Sequence, residues 1–236
     1  MTTLADYLND ATSSALLSGG DAPFAAHFTE GNSRVAVVVG GNATGKSLYV
    51  RVLSSRASNK EVLPISISIR ERTGAGTSDM AGMRRMMMFG DESEQSTGAT
   101  SVETVRRGFS NLAEHAKERQ ALLILDEPEM GLSEDYAAAM GQWLAWQARD
   151  LATPNEMGVV VVTHSRALVR SLVSTLAVVL QSPHFVNMDG PEEICEWLDN
   201  PVHRTVDELL ALPGVGRDKR KAVGAILNER KKKPSP

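Results

Sequence analysis

Val35-Ala36-Val37-Val38-Val39-Gly40-Gly41-Asn42-Ala43-Thr44-Gly45-Lys46-Ser47 is the stretch on which the reading of this chain turns. Its first five residues are continuously apolar and mostly β-branched, which predicts a strand buried on both faces. The next eight fit Gly-x-x-x-x-Gly-Lys-Ser, and Ser47 to Leu53 reads as the start of a helix. Strand, loop and helix in this order are the context that gives the Walker A pattern its meaning. Glycines let the backbone curl until its N–H groups converge on phosphate oxygens. The helix N-terminus adds partial positive charge. Gly40, Gly41, Asn42, Ala43, Thr44, Gly45, Lys46 and Ser47 are therefore expected to cradle nucleotide phosphates. Lys46 is expected at the β- and γ-phosphates, with the Ser47 hydroxyl on Mg²⁺.

Outward from this loop, further apolar runs alternate with helical patterns. Val62 to Ile69 predicts a strand with Ile65, Ile67 and Ile69 on one face. Leu122–Leu125, Val159–Val162 and Leu176–Leu180 each predict a buried strand. Leu4 to Leu17 and Leu132 to Leu151 predict helices. So does Val102 to Ala116, with Val102, Val105, Phe109, Leu112 and Ala116 on one stripe. Continuous apolar strands separated by helices imply an α/β fold with a mostly parallel sheet flanked by helices. That domain is expected over residues 1–190. Beyond Pro191 the pattern changes to short helices, Glu192 to Asp199 and Thr205 to Leu212. A C-terminal helical extension is thus expected over 191–236.

The chain has 236 residues, 42% hydrophobic and 23% charged, ordinary proportions for a soluble globular protein. No apolar run approaches the roughly 20 residues that span a bilayer, so no membrane partner is expected. The first residues carry no basic region followed by an apolar block. The single cysteine, Cys195, fits a reducing, cytoplasmic setting and reads as a half-buried residue without chemistry. The formal net charge is -4, but Arg217 to Lys233 holds eight Lys/Arg against two Asp/Glu. Such end-loading points either to an anionic partner or to a solvated tail.

Two further strand ends carry chemistry. Leu122-Leu123-Ile124-Leu125 runs into Asp126-Glu127-Pro128. Asp126 is expected to coordinate Mg²⁺, and Glu127 to act as general base toward an attacking water. Val159 to Val162 runs into Thr163-His164-Ser165, which places His164 at the edge where α/β sheets bind ligands. His164 is expected to hydrogen-bond the γ-phosphate.

Taken together, Gly40 to Ser47, Leu125-Asp126-Glu127-Pro128 with Gly131-Leu132-Ser133, and Val162-Thr163-His164 resemble the ABC-class ATPases. The likeness is greatest to stand-alone forms such as SMC-like repair ATPases and those of the overcoming-lysogenisation-defect (OLD) type. It spans about residues 31 to 181. This resemblance implies ATP and Mg²⁺ as ligands and a homodimer closing head-to-tail around two nucleotides. It also implies a signature loop between the two Walker motifs. Gln95-Ser96-Thr97-Gly98-Ala99 occupies that place. Ser96 and Gly98 match the family pattern, while Thr97 and Ala99 depart from it, and a Ser/Thr/Gly helix cap is the alternative. Arg70, Glu71 and Arg72 stand where the family has a glutamine after the Ile65–Ile69 strand. Ser133 stands where it often has an aspartate. Ser96 follows Lys46 by only 50 residues, short for a transporter subunit or a coiled-coil arm. Slow turnover used as a switch fits these departures.

Three features lie outside the motifs. Met80, Met83, Met86, Met87 and Met88, followed by Phe89, read as a segment docking a protein effector or as core filling. Leu209 to Gly216 followed by Lys219, Arg220 and Lys221 reads as a helix-hairpin-helix turn for DNA phosphate, or as a structural turn. Phe24 or Phe28 could stack on adenine, or pack in the core. The expectation is an ATPase that couples nucleotide state to a partner protein or nucleic acid. Its alternatives are an ATP-gated module controlling an effector and a DNA-binding ATPase using its basic tail.

Overall fold

The computed structural model of the chain describes residues 3–19, 22–68 and 97–232. In chain order they form α1 (Leu4–Thr12), β1 (His27–Thr29), β2 (Val35–Val39), α2 (Lys46–Asn59) and β3 (Leu63–Ser68). Then come α3 (Thr97–His115), β4 (Ala121–Asp126), α4 (Glu134–Arg149), β5 (Glu156–Val162) and α5 (Arg166–Ala177). The last elements are β6 (His184–Asn187), α6 (Ile194–Asp199) and α7 (Val206–Lys232). The six described strands make one sheet in the order β1-β6-β2-β5-β4-β3. Only β1 runs antiparallel, against β6. The remaining pairings are parallel, so the molecule is α/β with a mostly parallel sheet flanked by helices.

The apolar runs are unbroken because both faces of the sheet are covered. Val35, Val37, Val39, Leu123, Leu125, Val159 and Val161 belong to one core, packed by α3, α4, α5 and α6. Ala36, Val38, Leu122, Ile124, Val160 and Val162 alternate with them and belong to the other, packed by α1 and α2. This is the two-residue period of a pleated strand, with each phase meeting helices. Tyr49 of α2 is fully buried in the second core, and its hydroxyl donates to the Leu8 carbonyl at 3.2 Å. Burial pushes the phenol pKa up.

Four expectations from sequence are corrected. Leu176–Leu180 is not a strand: it ends α5 and turns outward, with Val178 83% and Leu180 88% exposed. The strand beside β2 is instead His184–Asn187, whose residues are all buried. Its polar members are satisfied in place. His184 Nδ1 accepts the Gly31 N–H at 2.9 Å, and burial lowers the ring's pKa. The Asn187 side chain accepts the Asp189 N–H at 2.9 Å. Val102 is 43% exposed, and the buried face of α3 before Val105 is made instead by Gly98, Thr100, Ser101 and Thr104. Cys195, expected half-buried, is exposed.

The fourth correction concerns the C-terminus. No hairpin turn interrupts Leu209 to Gly216; α7 runs through it as one helix with Pro213 inside. Proline within a helix removes a hydrogen bond and crowds the preceding turn. The partly buried positions show why the helix nonetheless continues. Leu212, Gly216, Lys219, Val223 and Ile226 recur at helical spacing on one face, and Val223 and Ile226 rest against the second core. A turn at Gly214 would break that stripe. Among the described residues, no helix is long and apolar enough to cross a membrane.

Candidate functional site

Parallel strands deliver their C-terminal ends to one edge of the sheet, where α/β folds bind ligands. Gly40 to Gly45 leave β2 there and lead into α2. Gly45 has φ of 103°, and a Cβ on it would stand 2.5 Å from the Phe24 ring. Only glycine meets both conditions. The Lys46 ammonium folds back over the loop and donates to the Gly40 and Gly41 carbonyls, both at 2.8 Å. Thr44 Oγ1 donates to the Gly41 carbonyl at 3.0 Å. Asp189, just beyond β6, accepts the Gly41 N–H at 2.6 Å. Among the described residues, no side-chain hydrogen bond caps the first turn of α2.

The neighbouring strands supply acids and a histidine. Asp126 ends β4 opposite Ser68 of β3, and the Ser68 hydroxyl donates to Asp126 Oδ2 at 3.1 Å. Glu127 follows with φ of 54°. A non-glycine residue in the left-handed region is strained and persists only where its surroundings hold it. The Glu127 N–H donates to the Val162 carbonyl at 2.8 Å, which ties it to the end of β5. His164 Nε2 lies 3.4 Å from Glu127 Oε1, an ion pair whenever the ring is protonated.

A second acid braces this pair. The Thr163 hydroxyl donates to Glu129 Oε1 and accepts the Ser165 N–H at 2.9 Å. The turn after β4 is thereby locked to the turn after β5. Glu129 Oε2 is buried without a hydrogen-bond partner among the described residues. Burial raises the Glu129 carboxyl pKa, opposed by the Thr163 bond and reinforced by the charge of Glu127.

These edges and α7 enclose a cleft of about 470 Å³, within the range of small-molecule sites. It gathers Asn42 to Ser47 with Asp126 and His164. Phe24 lines it as well, while Phe28 is elsewhere, stacked on His184. Glu127 is not a lining residue; it is buried and meets the cleft through His164. Among the described residues, Lys46, Arg51, Lys219 and Arg220 line the cleft against the single carboxylate of Asp126. The arrangement favours an anion.

The remaining sequence candidates fall differently. Gly98 is buried at the start of α3, and a Cβ there would stand 2.9 Å from the Gly131 carbonyl. Its packing within the chain already demands glycine. Ser96, Arg70 to Arg72 and the Met80–Phe89 segment lie outside the described residues. Ser68, Glu129, Thr163, Asp189 and the α7 wall were not anticipated. The signal for four of them was position alone, a polar residue at or just past the C-terminal end of a strand. Compared with known protein families and with curated proteins, the chain matches none.

Proposed function

We propose that the chain binds ATP with Mg²⁺ in this cleft and hydrolyses it, as an ABC-class ATPase would. The observation that carries the reading is the gathering of Lys46, Ser47, Asp126 and His164 around one cationic cleft, with Glu127 3.4 Å from His164. Lys46 would release its loop carbonyls and turn to the β- and γ-phosphates. The loop amides and the start of α2 would meet the remaining phosphate oxygens.

The donor set suits magnesium. Ser47 and Asp126 offer a hydroxyl and a carboxylate, the hard oxygen ligands that Mg²⁺ takes beside phosphates and water. Among the described residues no three His, Cys, Asp or Glu cluster for a metal, and a metal shared with phosphates requires no such cage. When bound there, the ion would neutralise phosphate charge. Ser68 would hold the Asp126 carboxylate in orientation through its 3.1 Å hydrogen bond. Glu127 Oε1 would take the proton of the attacking water, and His164 would face the γ-phosphate while touching that same oxygen. The strained backbone at Glu127 fits a carboxylate held for one task.

An ATP-gated switch with slow turnover is a second reading, favoured by the position of Glu127 off the cleft lining. The basic tail no longer has a hairpin to offer DNA, so charge alone supports that partner. Head-to-tail dimerisation belongs to the proposal through the resemblance of the motifs. Glu127→Gln tests the mechanism. Turnover should fall about 10²–10⁴-fold, the usual worth of a general base. ATP binding should persist, and a dimer should accumulate in sedimentation. Undiminished hydrolysis would overturn the role of Glu127.

A further inference from the structure

We infer that α7 supplies two phosphate-binding residues, Lys219 and Arg220, to the cleft of its own chain. This rests on the nucleotide reading of the cleft and extends it, because the motifs around Gly40–Ser47, Asp126 and His164 account for only one wall.

The first argument is placement. α7 carries four cations close together, Arg217, Lys219, Arg220 and Lys221. Only Lys219 and Arg220 line the cleft that holds Asn42 to Ser47. Lys219 belongs to the half-buried face with Leu212, Gly216, Val223 and Ile226, so packing against the body directs it inward. Arg217 and Lys221 are exposed and line nothing there.

The second argument is what holds Lys219. Its ammonium sits 4.8 Å from the centre of the Phe24 ring. Phe24 is in turn the ring that a Cβ on Gly45 would strike. The lysine is therefore seated on the loop itself. A ring face attracts an ammonium but cannot satisfy its three N–H donors.

The third argument is charge. Neither Lys219 nor Arg220 forms an ion pair with a described residue, although Glu208 of α7 pairs with Arg204 just ahead of the helix. Among the described residues that line the cleft, Lys219, Arg220 and Arg51 add cations where Asp126 is the one carboxylate. A triphosphate matches this excess, and the guanidinium fork of Arg220 suits two phosphate oxygens at once.

The test is calorimetric titration of MgATP into the full chain and four variants. Lys219→Ala/Arg220→Ala should bind about ten- to hundredfold more weakly, the range for losing charged hydrogen bonds. Arg217→Ala/Lys221→Ala removes the same charge from outside the cleft. It should stay within about twofold of the parent, because exposed charges outside the cleft are solvated and screened by salt. Lys219→Arg/Arg220→Lys keeps both charges and should recover part of the binding that the alanine pair loses, short of the parent because lysine lacks the guanidinium fork. Equal affinities for the two alanine pairs would overturn the inference, as would failure of the charge-conserving pair to rescue. Lys46→Ala separates the two levels. If it abolishes binding while the cleft pair of α7 does not, the nucleotide reading stands and this inference falls. If the parent chain binds no nucleotide, both fall.

Discussion

The two walls of the cleft are held by different physics. The sheet wall hangs from β2, β4 and β5, whose central residues are almost wholly buried, with the less buried β3 paired in parallel register to β4. Its side chains are braced again by short links, Ser68 to Asp126, Thr163 to Glu129 and Asp189 to Gly41. The helical wall lies on one stripe of α7. Val206, Leu209 and Leu210 are exposed at its start, and Pro213, Gly214 and Gly216 weaken its middle. Chemistry that needs fixed geometry belongs on the first wall. Charge recognition, which tolerates movement, fits the second.

Disturbing the point where the walls meet should have the largest effect. Gly45→Val puts a branched side chain at φ of 103° and into the Phe24 ring. Left-handed backbone costs roughly 1–2 kcal/mol and overpacking about 1–3 kcal/mol more. The variant should lose stability by that combined order in denaturant unfolding. ATP affinity should fall with it, because Phe24 and hence Lys219 must move. A variant with unchanged unfolding and affinity would break the link between the walls.

Glu129 tests the bracing of the sheet wall alone, with a smaller effect. Its carboxyl pKa is raised by burial. A raised carboxyl contributes stability that is full below its ordinary value near 4.5 and lost as pH rises through the shifted value. Glu129→Gln removes that titration while keeping an oxygen for Thr163. The advantage of the variant in unfolding midpoint should therefore grow from pH 4.5 upward. A constant difference between pH 4 and 8 would contradict the placement of Glu129. The Glu127–His164 contact should loosen only if Thr163 is also lost, so turnover should fall further in Thr163→Val than in Glu129→Gln.

The smallest global effect belongs to the helical wall. Pro213→Ala restores a helix hydrogen bond that proline forbids, locally worth up to about 3 kcal/mol. Since α7 contributes little to either core beyond Val223 and Ile226, the global midpoint should hardly move. Amide exchange should slow around residues 212–217. Equal slowing across the sheet would mean that the walls are one cooperative unit.

The same contrast governs what the sequence disclosed. Val35–Val39, Leu122–Leu125 and Val159–Val162 were legible because strands buried on both faces must be apolar throughout. The loop at 40–47, Asp126, Glu127 and His164 were legible because each follows such a run. β6 was not, since His184 and Asn187 look polar until Gly31 and Asp189 are seen to satisfy them. The exposed run to Leu180 took its place. The inward face of α7 was hidden because Leu212, Gly216, Lys219 and Val223 share no hydrophobic pattern. Glu129 was hidden because burial, and not residue type, makes it unusual.

The central claim is that the cleft is a nucleotide site organised by Lys46. Titration of MgATP into the parent chain and into Lys46→Ala tests it most directly, with unfolding midpoints compared to show that the variant remains folded. The account predicts saturable binding by the parent and at least about a hundredfold loss in the variant, since a buried, charge-assisted donor to phosphate is removed. Equal affinity in the two proteins, or no binding by a folded parent chain, would contradict it.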